Sequence, residues 1–303
     1  MTRLKTVVTG GCGFIGSHVV DKLVAAGHEV TVYDATPRPF RDDVRYVDGD
    51  VLDPVAVADV LADADVVFHL AGMSNVDVAA LNPLATVKLN VEGTGVIADA
   101  ARQRGDLRVV LASTVWVFGA AAGEGTVDET SYIDLSRSGH LYTSTKIAAE
   151  MVLRSYNELY GLPYTVLRYG VPYGPRMRGE LVIAKFVAKA LAGEPLTVAG
   201  DGKQTRNFVY VEDLADAHVL ALEPAALNGT FALDGPEEVS ILQVAETVAG
   251  LVGDTPIERV PGRSGDFAGR QIDITHAREV LGWKPETSFA EGVRRYLEWL
   301  RTS

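Results

Sequence analysis

Short apolar runs alternate with longer segments of helical spacing through the first half of the chain. Alternation of this kind predicts a parallel sheet covered by helices on both faces, because strand-crossover-strand units are almost always right-handed. The predicted fold class is therefore α/β, with a doubly wound parallel sheet. The predicted strands cover 6–9, 29–33, 44–47, 66–70, 108–112 and 164–169, and the predicted helices cover 17–26, 55–62, 83–103 and 141–160.

Glycine and proline become frequent after Arg168 and divide the rest of the chain into short elements. This change predicts a second, smaller α/β lobe formed mainly by residues 171–303. A helical stretch inside it predicts that a segment near 204–222 returns to the first lobe. Because ligands bind at the carboxyl edge of a doubly wound sheet, we expect the smaller lobe to cover that edge and to bind the substrate.

The first predicted strand leads directly into a glycine turn that is followed by a helix. Gly10 permits the tight turn, Gly13 lets backbone N–H groups approach a pyrophosphate, and Gly16 lets the helix pack on the strand. The phosphates then lie at a helix N-terminus, which favours negative charge. The second strand ends at Asp34, near the ~20-residue distance at which an acid receives a ribose 2′-hydroxyl. Residues 1–170 are thus predicted to form an NAD-binding Rossmann domain, with cofactor contacts at Gly10, Gly13, Phe14, Ile15, Gly16 and Asp34.

Tyr142 and Lys146 open the predicted helix over 141–160, and their spacing of four residues places them on one helix face. Lowering a tyrosine pKa from ~10 by ~3 units requires ~4 kcal/mol of differential stabilisation. An ammonium about 4 Å away at an effective dielectric near 20 supplies about that much, so Lys146 could convert Tyr142 into a base. The alternative is an ordinary pair on a solvated helix, but the glycine turn upstream favours the catalytic interpretation.

Ser113 and Thr114 stand where the apolar strand before that helix ends, at the sheet edge where substrate is expected. A hydroxyl there can donate to a substrate oxygen while a tyrosinate takes its proton. The alternative is a capping or turn hydroxyl, and it stays open for both residues.

Charge and composition limit the classes of partner that the chain is expected to bind. The 303-residue chain has a net charge of −12, which disfavours nucleic acid and membrane surfaces because both are anionic. No apolar run reaches the ~18–20 residues that span a bilayer, and no signal peptide is expected before the first strand. The single cysteine, Cys12, fits a reducing cytoplasm, where we predict the protein to reside. The six histidines lack metal-ligand spacing, so no metal is expected.

The motifs together resemble the extended short-chain dehydrogenases/reductases, in the NAD-dependent epimerase/dehydratase family typified by UDP-galactose and UDP-glucuronate 4-epimerases. The similarity covers essentially the whole chain, with matching segments at 9–16, 50–51, 69–72, 90–94, 167–169, 208–214 and 281–285. It implies that Thr114 is the catalytic hydroxyl, Tyr142 the base and acid, and Lys146 the activator of that base. It also implies cofactor contacts at Asp50, Val51, Leu70, Ala71, Gly72, Asn90, Tyr142, Lys146, Tyr169 and Pro172.

For the substrate, the resemblance implies that Arg206 and Arg263 bind the diphosphate of a nucleotide sugar. Arginine suits this contact because its guanidinium can bind a phosphate through two hydrogen bonds. The full set of implied substrate residues is Ser113, Thr114, Val171, Glu180, Leu181, Ala199, Arg206 and Arg263.

The chain departs from the family pattern at several positions. Val115 and Trp116 follow Thr114, where sugar dehydratases carry an acid, and neither can transfer a proton; this disfavours dehydratase and decarboxylase activity. Asparagine is common at the positions of Val171 and Glu180, and an aromatic residue at that of Ala199. These changes leave the identity of the sugar and nucleotide open.

Three functions therefore compete. The favoured one is an NAD-dependent epimerase that inverts carbon 4 of a nucleoside-diphosphate sugar through a transient 4-keto intermediate. The alternatives are an NAD(P)H-dependent 4-ketoreductase and a non-catalytic dinucleotide-binding protein. Asp34 would repel a 2′-phosphate and so favours NAD and epimerisation. Apolar faces at 84–101 and 147–159 predict a homodimer, unless both faces are buried against the chain's own sheet.

Overall fold

The computed structural model describes residues 2–36, 40–120, 125–253, 255–261 and 271–302. The strands are β1 (Lys5–Thr9), β2 (Glu29–Asp34), β3 (Arg45–Asp48), β4 (Val66–His69), β5 (Arg108–Thr114), β6 (Tyr164–Tyr169), β7 (Val171–Tyr173), β8 (Leu196–Ala199), β9 (Thr205–Tyr210), β10 (Gly229–Leu233), β11 (Glu238–Ser240) and β12 (Ile257–Val260). The α-helices are α1 (Phe14–Ala25), α2 (Pro54–Val60), α3 (Val76–Leu81), α4 (Pro83–Val87), α5 (Gly93–Arg104), α6 (Leu141–Tyr160), α7 (Val182–Leu191), α8 (Val211–Leu220), α9 (Ile241–Val252), α10 (Thr275–Leu281) and α11 (Phe289–Thr302).

The large sheet has seven strands in the order β10-β6-β5-β4-β1-β2-β3, and its neighbouring strands are paired in parallel. Its strands are nearly continuous apolar runs because helices cover both faces. The predicted doubly wound parallel sheet is confirmed. The edge strand β10 was not predicted, and it comes from the part of the chain assigned mainly to the smaller lobe.

The smaller lobe contains a three-stranded sheet, β11-β9-β7, and the parallel pair β12-β8. Its apolar core packs α7, α9 and α11 against these strands. The Tyr173 ring lies at the centre of that core, 6.0 Å from the Phe208 ring and 5.3 Å from the Phe289 ring. Gly292 of α11 makes room for this tyrosine, since a Cβ there would lie 2.1 Å from its hydroxyl oxygen.

The predicted return segment divides between the two lobes. Strand β9 belongs to the smaller sheet, whereas α8 packs on α1 beneath the large sheet. Asp213 of α8 then fastens the C-terminal region: its carboxylate accepts hydrogen bonds from the backbone of Glu286 and Thr287, and its carbonyl accepts one from the buried Trp283 indole. These contacts join α8 to the segment between α10 and α11.

Two kinds of feature are absent from the described residues. No helix among them is long and apolar enough to cross a membrane. Within the same ranges, no group of three or more histidine, cysteine, aspartate or glutamate side chains could hold a metal ion.

Candidate active site

The turn between β1 and α1 can be built only with glycines. Gly10 has a φ of 72°, and a Cβ there would lie 2.7 Å from the Ala71 backbone nitrogen. A Cβ on Gly16 would lie 2.1 Å from the Gly10 carbonyl oxygen. Gly13 is the N-cap of α1 and brings no side chain to the helix end. The N–H groups of the first turn are therefore left to bind a pyrophosphate, and this cradle fits a dinucleotide.

Asp34 lies at the end of β2, beside that turn. One carboxylate oxygen accepts a hydrogen bond from the Cys12 backbone N–H at 2.9 Å, and the other accepts one from the Thr36 N–H at 2.9 Å. Each oxygen keeps a second lone pair, which can accept a hydrogen bond from a ribose hydroxyl group. The predicted ribose acid thus also holds the glycine turn in place.

Asn90 fastens the loop that follows β4. Its amide accepts a hydrogen bond from the Met73 N–H at 2.7 Å and donates to the Met73 carbonyl at 3.0 Å and to the Thr145 hydroxyl at 2.9 Å. It lies in a π-helical turn, Lys88–Glu92, which interrupts the helix predicted over 83–103. Such turns are frequent at functional sites. Asn90 therefore ties the loop carrying Leu70, Ala71 and Gly72 to the start of α6.

Thr114 and Tyr142 meet where β5 ends and α6 begins. Thr114 is buried, and its side chain lies near enough to Tyr142 to affect the phenol. Burial raises the pKa of Tyr142 to about 12, although Thr114 and the positive charge of Arg178 both lower it. The structure therefore places the predicted catalytic hydroxyl and the predicted base close together.

Lys146 is buried one helical turn beyond Tyr142, and its ammonium donates to the Ala112 carbonyl at 2.9 Å. Burial lowers the pKa of Lys146 to about 8, against the opposing effect of the Glu150 charge. From the sequence, this lysine was expected to lower the pKa of Tyr142. That expectation is wrong for this structure, because desolvation of the phenol outweighs every charge near it and raises the pKa. Lys146 is instead directed at the strand end.

Glu150 joins this group from the next turn of α6. It forms a buried, two-bonded ion pair with Arg168, at 3.0 Å from Nε and 2.7 Å from Nη2. Ser113 also donates its hydroxyl to Glu150, at 2.5 Å. Ser113 is only 2% exposed, so the structure supports the structural alternative for this hydroxyl over the predicted substrate contact.

A cleft opens from the residue after Thr114 toward the smaller lobe. Val171 and Arg206, both predicted substrate residues, line it from β7 and β9. The cleft is thus formed by the large sheet, the segment after β5 and the three-stranded sheet. Its lining residues are Val115, Trp116, Phe118, Gly119, Val171, Thr205, Arg206, Asn207, Asp234, Glu238 and Ile272.

The other predicted substrate residues are dispersed. Glu180 is exposed in the turn before α7 and lies 3.7 Å from the Arg178 guanidinium. Leu181 is the N-cap of α7, and Ala199 ends β8. The prediction for Arg263 lies outside the described residues. The structure therefore brings Val171 and Arg206 together and leaves the others on separate elements.

The remaining predicted cofactor residues follow the strand ends. Asp50 is exposed and accepts a hydrogen bond from the Leu52 N–H, whereas Val51 is buried in the core. Tyr169 is buried at the end of β6, with its hydroxyl 2.5 Å from His218 Nε2, and Pro172 lies in the next strand.

The NAD dependent epimerase/dehydratase family matches residues 6–232, which include the glycine turn, Thr114, Tyr142 and Lys146. The chain belongs to this family. It is 35% identical to UDP-glucose 4-epimerase of Mycolicibacterium smegmatis, over 98% of this chain and 99% of that protein. It is 34% identical to UDP-glucuronic acid decarboxylase 1 of Arabidopsis thaliana, over 99% of this chain and 70% of that one.

The similarity extends to the three-dimensional structure. UDP-glucose 4-epimerase of Thermus thermophilus, in complex with NAD, superposes with a TM-score of 0.88 and 32% identity over 99% of this chain and 100% of that one. NAD is thus the cofactor of this epimerase/dehydratase-family enzyme, which confirms the prediction. The chain is an enzyme of the nucleotide-sugar epimerase/decarboxylase family, within the extended short-chain class.

Three residues of this family member were missed in the sequence. Glu150 could have been found, because it follows Lys146 at the same spacing of four that links Lys146 to Tyr142. Arg178 acts on Tyr142 from a loop, and Asp234 lines the cleft from the end of β10. No local pattern marks those two, since each reaches the site through the tertiary fold.

Proposed function

We propose that the chain is an NAD-dependent 4-epimerase of a nucleoside-diphosphate sugar. The observation that carries the proposal is the proximity of Thr114 and Tyr142, where β5 ends and α6 begins, beside a cleft whose lining includes Val115 and Trp116. Lys146 lies one helical turn beyond Tyr142. This set can transfer one proton at a hydroxyl group. It offers no acid after Thr114 for a further elimination step, which favours epimerisation.

In the proposed reaction, Tyr142 takes the proton of the carbon-4 hydroxyl while Thr114 hydrogen-bonds the same oxygen. NAD, when bound, supplies the acceptor and later the donor of the hydride, together with a positive charge on its oxidised ring. Because the Tyr142 pKa is about 12 even with Arg178 nearby, the tyrosinate would need the further stabilisation that this positive charge supplies. The 4-keto sugar then rotates in the cleft so that carbon 4 is reduced on its opposite face, and Tyr142 returns the proton to the carbon-4 oxygen.

Lys146 and Glu150 position this machinery. The Lys146 ammonium is fixed at the end of β5 by the Ala112 carbonyl, and Glu150 favours its charged form. Arg168 holds Glu150 through two hydrogen bonds. These contacts place the Lys146 ammonium close to the loop at Gly72, since a Cβ on Gly72 would lie 3.6 Å from Lys146 Nζ.

Decarboxylation of a nucleotide-linked uronate is the second candidate. The similarity to the Arabidopsis decarboxylase supports it, and so does Arg178, a cation near enough to Tyr142 to affect its pKa. An arginine in that place suits a sugar carboxylate. Val115 and Trp116 weigh against it, because neither side chain can transfer a proton.

The test incubates purified enzyme and catalytic NAD with UDP-glucose, UDP-glucuronate or UDP-N-acetylglucosamine. Sugars are followed by NMR, and reduced cofactor by its absorbance. We expect a carbon-4 epimer without accumulation of NADH. Release of carbon dioxide and a pentose product from UDP-glucuronate would establish the decarboxylase. Inactivity on all three, with stoichiometric NAD(P)H consumption on a 4-keto sugar nucleotide, would establish the ketoreductase.

A homodimer is the assembly that we propose. Leu84 of α4 is 69% exposed, and Met151 and Leu159 of α6 are 54% and 70% exposed. The predicted alternative, burial against the chain's own sheet, does not describe these three side chains. Their exposure supports pairing of the two helices with those of a second copy. Analytical ultracentrifugation of Met151→Glu, with wild type beside it, tests this: a monomeric variant supports the interface, and an unchanged dimer excludes it.

A further inference from the structure

Asp234 is a buried carboxyl group in the wall of the cleft. It directly follows β10, is 3% exposed, and shares the lining with Val115 and Trp116. A Cβ on Gly170 would lie 2.2 Å from its Oδ1 oxygen. The carboxyl group therefore occupies a niche that exists because residue 170 has no side chain, beside the junction of β6 and β7.

Two neighbours orient this carboxyl group. The Asn207 side chain and the Gly235 backbone N–H both donate hydrogen bonds to it, while burial raises the pKa of Asp234 to about 7. Burial is the largest influence on its protonation. The charged and titratable groups on the elements around it are Arg206 on β9, Glu238 on β11, Arg168 and Tyr169 on β6, and Glu129, whose carboxylate accepts from the Ala232 N–H.

The chemistry of the lining limits what Asp234 can bind. Val115, Trp116, Phe118 and Val171 present apolar surface. Val171 is the residue of β7 in this lining, and its side chain offers no polar group to this part of the cleft. Asp234 lies next to this position, across Gly170, and brings a polar group to the same part of the cleft.

We propose that Asp234 binds a hydroxyl group of the sugar ring of the substrate, with Asn207 orienting its carboxyl group. This rests on the proposed function, in which the cleft takes a nucleoside-diphosphate sugar. A hydroxyl is the fitting partner because it can accept from the protonated acid and donate to the carboxylate. The diphosphate is not, because an ionised Asp234 would repel it, and Arg206 in the same lining suits it better.

The experiment compares UDP-glucose with UDP by calorimetry, using wild type, Asp234→Ala, Asp234→Asn and the exposed control Asp201→Asn. Loss of one hydrogen bond of ~1 kcal/mol should weaken UDP-glucose binding about fivefold in Asp234→Ala and leave UDP binding unchanged. Equal weakening of both ligands, or of neither, would overturn the proposal. So would a wild type that binds UDP-glucose no more tightly than UDP.

The pH dependence gives a second readout. Ionisation of Asp234 near pH 7 should weaken binding of both UDP-glucose and UDP, because both carry the diphosphate. The ratio of the two affinities removes this shared repulsion, and Asp234→Ala should lower the ratio both below and above pH 7, since a ring hydroxyl can accept from the acid and donate to the carboxylate. Asp201→Asn should keep the wild-type ratio, and an unchanged ratio in Asp234→Ala would contradict the proposal.

The two proposals fail separately. Binding is measured without turnover, so an enzyme that does not epimerise can still show the Asp234 effect. Conversely, an active epimerase whose Asp234 variants bind UDP-glucose normally would keep the proposed function and lose this inference.

Discussion

The predicted dinucleotide side and the proposed substrate side of this site are built in different ways. The predicted dinucleotide side consists mainly of backbone from one continuous segment, β1 to β2, with glycines at Gly10 and Gly16 that no other residue can replace without a clash. The proposed substrate side consists of side chains from separate elements, including Arg206 on β9 and Asp234 after β10. A site made of backbone requires particular residues in one segment, whereas a site made of side chains can draw the same chemistry from different elements. A local sequence pattern therefore identifies the first side but not the second.

Between these two sides lies the set of Thr114, Tyr142, Lys146 and Glu150. It stands on the carboxyl end of β5 and the start of α6, which are rigid elements of the large sheet. Glu150 and Arg168 support it from below through a buried ion pair. Substitutions in the three regions should therefore have separable effects on turnover, stability, substrate binding and cofactor choice.

Tyr142→Phe should have the largest effect. Because only the proton-transferring oxygen is lost, kcat should fall by the ~10²–10⁴-fold that general-base catalysis contributes, with NAD affinity nearly unchanged. Turnover and calorimetric NAD binding are measured together, with Tyr132→Phe as the control because Tyr132 is 77% exposed. A variant that keeps more than about a tenth of wild-type turnover would remove Tyr142 as the base.

Glu150→Gln tests the support beneath the site. It leaves the Arg168 guanidinium buried with a neutral partner, and breaking a buried pair costs about 3–5 kcal/mol of unfolding free energy. Urea unfolding measures the loss, and Glu158→Gln, at an exposed position on the same helix, should change stability by less than about 0.5 kcal/mol. A loss equal to that of the control would show that the pair contributes no net stability.

Arg206→Ala sharpens the contrast between the two sides of the site. It removes a charge-assisted hydrogen bond worth ~1.5–3 kcal/mol, so the Kd for a nucleoside diphosphate should rise roughly tenfold to a hundredfold while NAD binding stays unchanged. Calorimetry with UDP measures it, and Arg259→Ala, an exposed arginine on β12, is the control. Equal UDP affinity in the variant and the wild type would place the diphosphate elsewhere. Arg263→Ala extends the same measurement to the other predicted arginine.

Asp34→Asn should have the narrowest effect, because it is confined to the choice of cofactor. The carboxylate should favour NAD over NADP by roughly tenfold to a hundredfold, as a charged hydrogen bond of ~1.5–3 kcal/mol implies. Titration of wild type, Asp34→Asn and the exposed Asp48→Asn with both cofactors measures this preference. NADP binding by the wild type as tight as NAD binding would contradict the role of Asp34.

Features that depend on neighbouring residues could be predicted from the sequence alone. The strands and helices of the first half, the glycine turn and the Tyr142–Lys146 spacing all follow from local periodicity and local sterics, and the structure reproduces them. The predicted helix over 83–103 is the exception, because the π-helical turn that carries Asn90 is stabilised by contacts with Met73 and Thr145.

Which polar groups meet depends on contacts between distant parts of the chain. Strand β10 joins the large sheet although it is distant in sequence from β6, its partner, and this pairing places Asp234 at the cleft. Ser113 was predicted to contact the substrate, but its hydroxyl donates a hydrogen bond to Glu150. The Tyr142 pKa was expected to be lowered, but burial of the phenol raises it. Burial and long-range contact are properties of the assembled fold, because the same side chain is solvated or desolvated according to what packs on it.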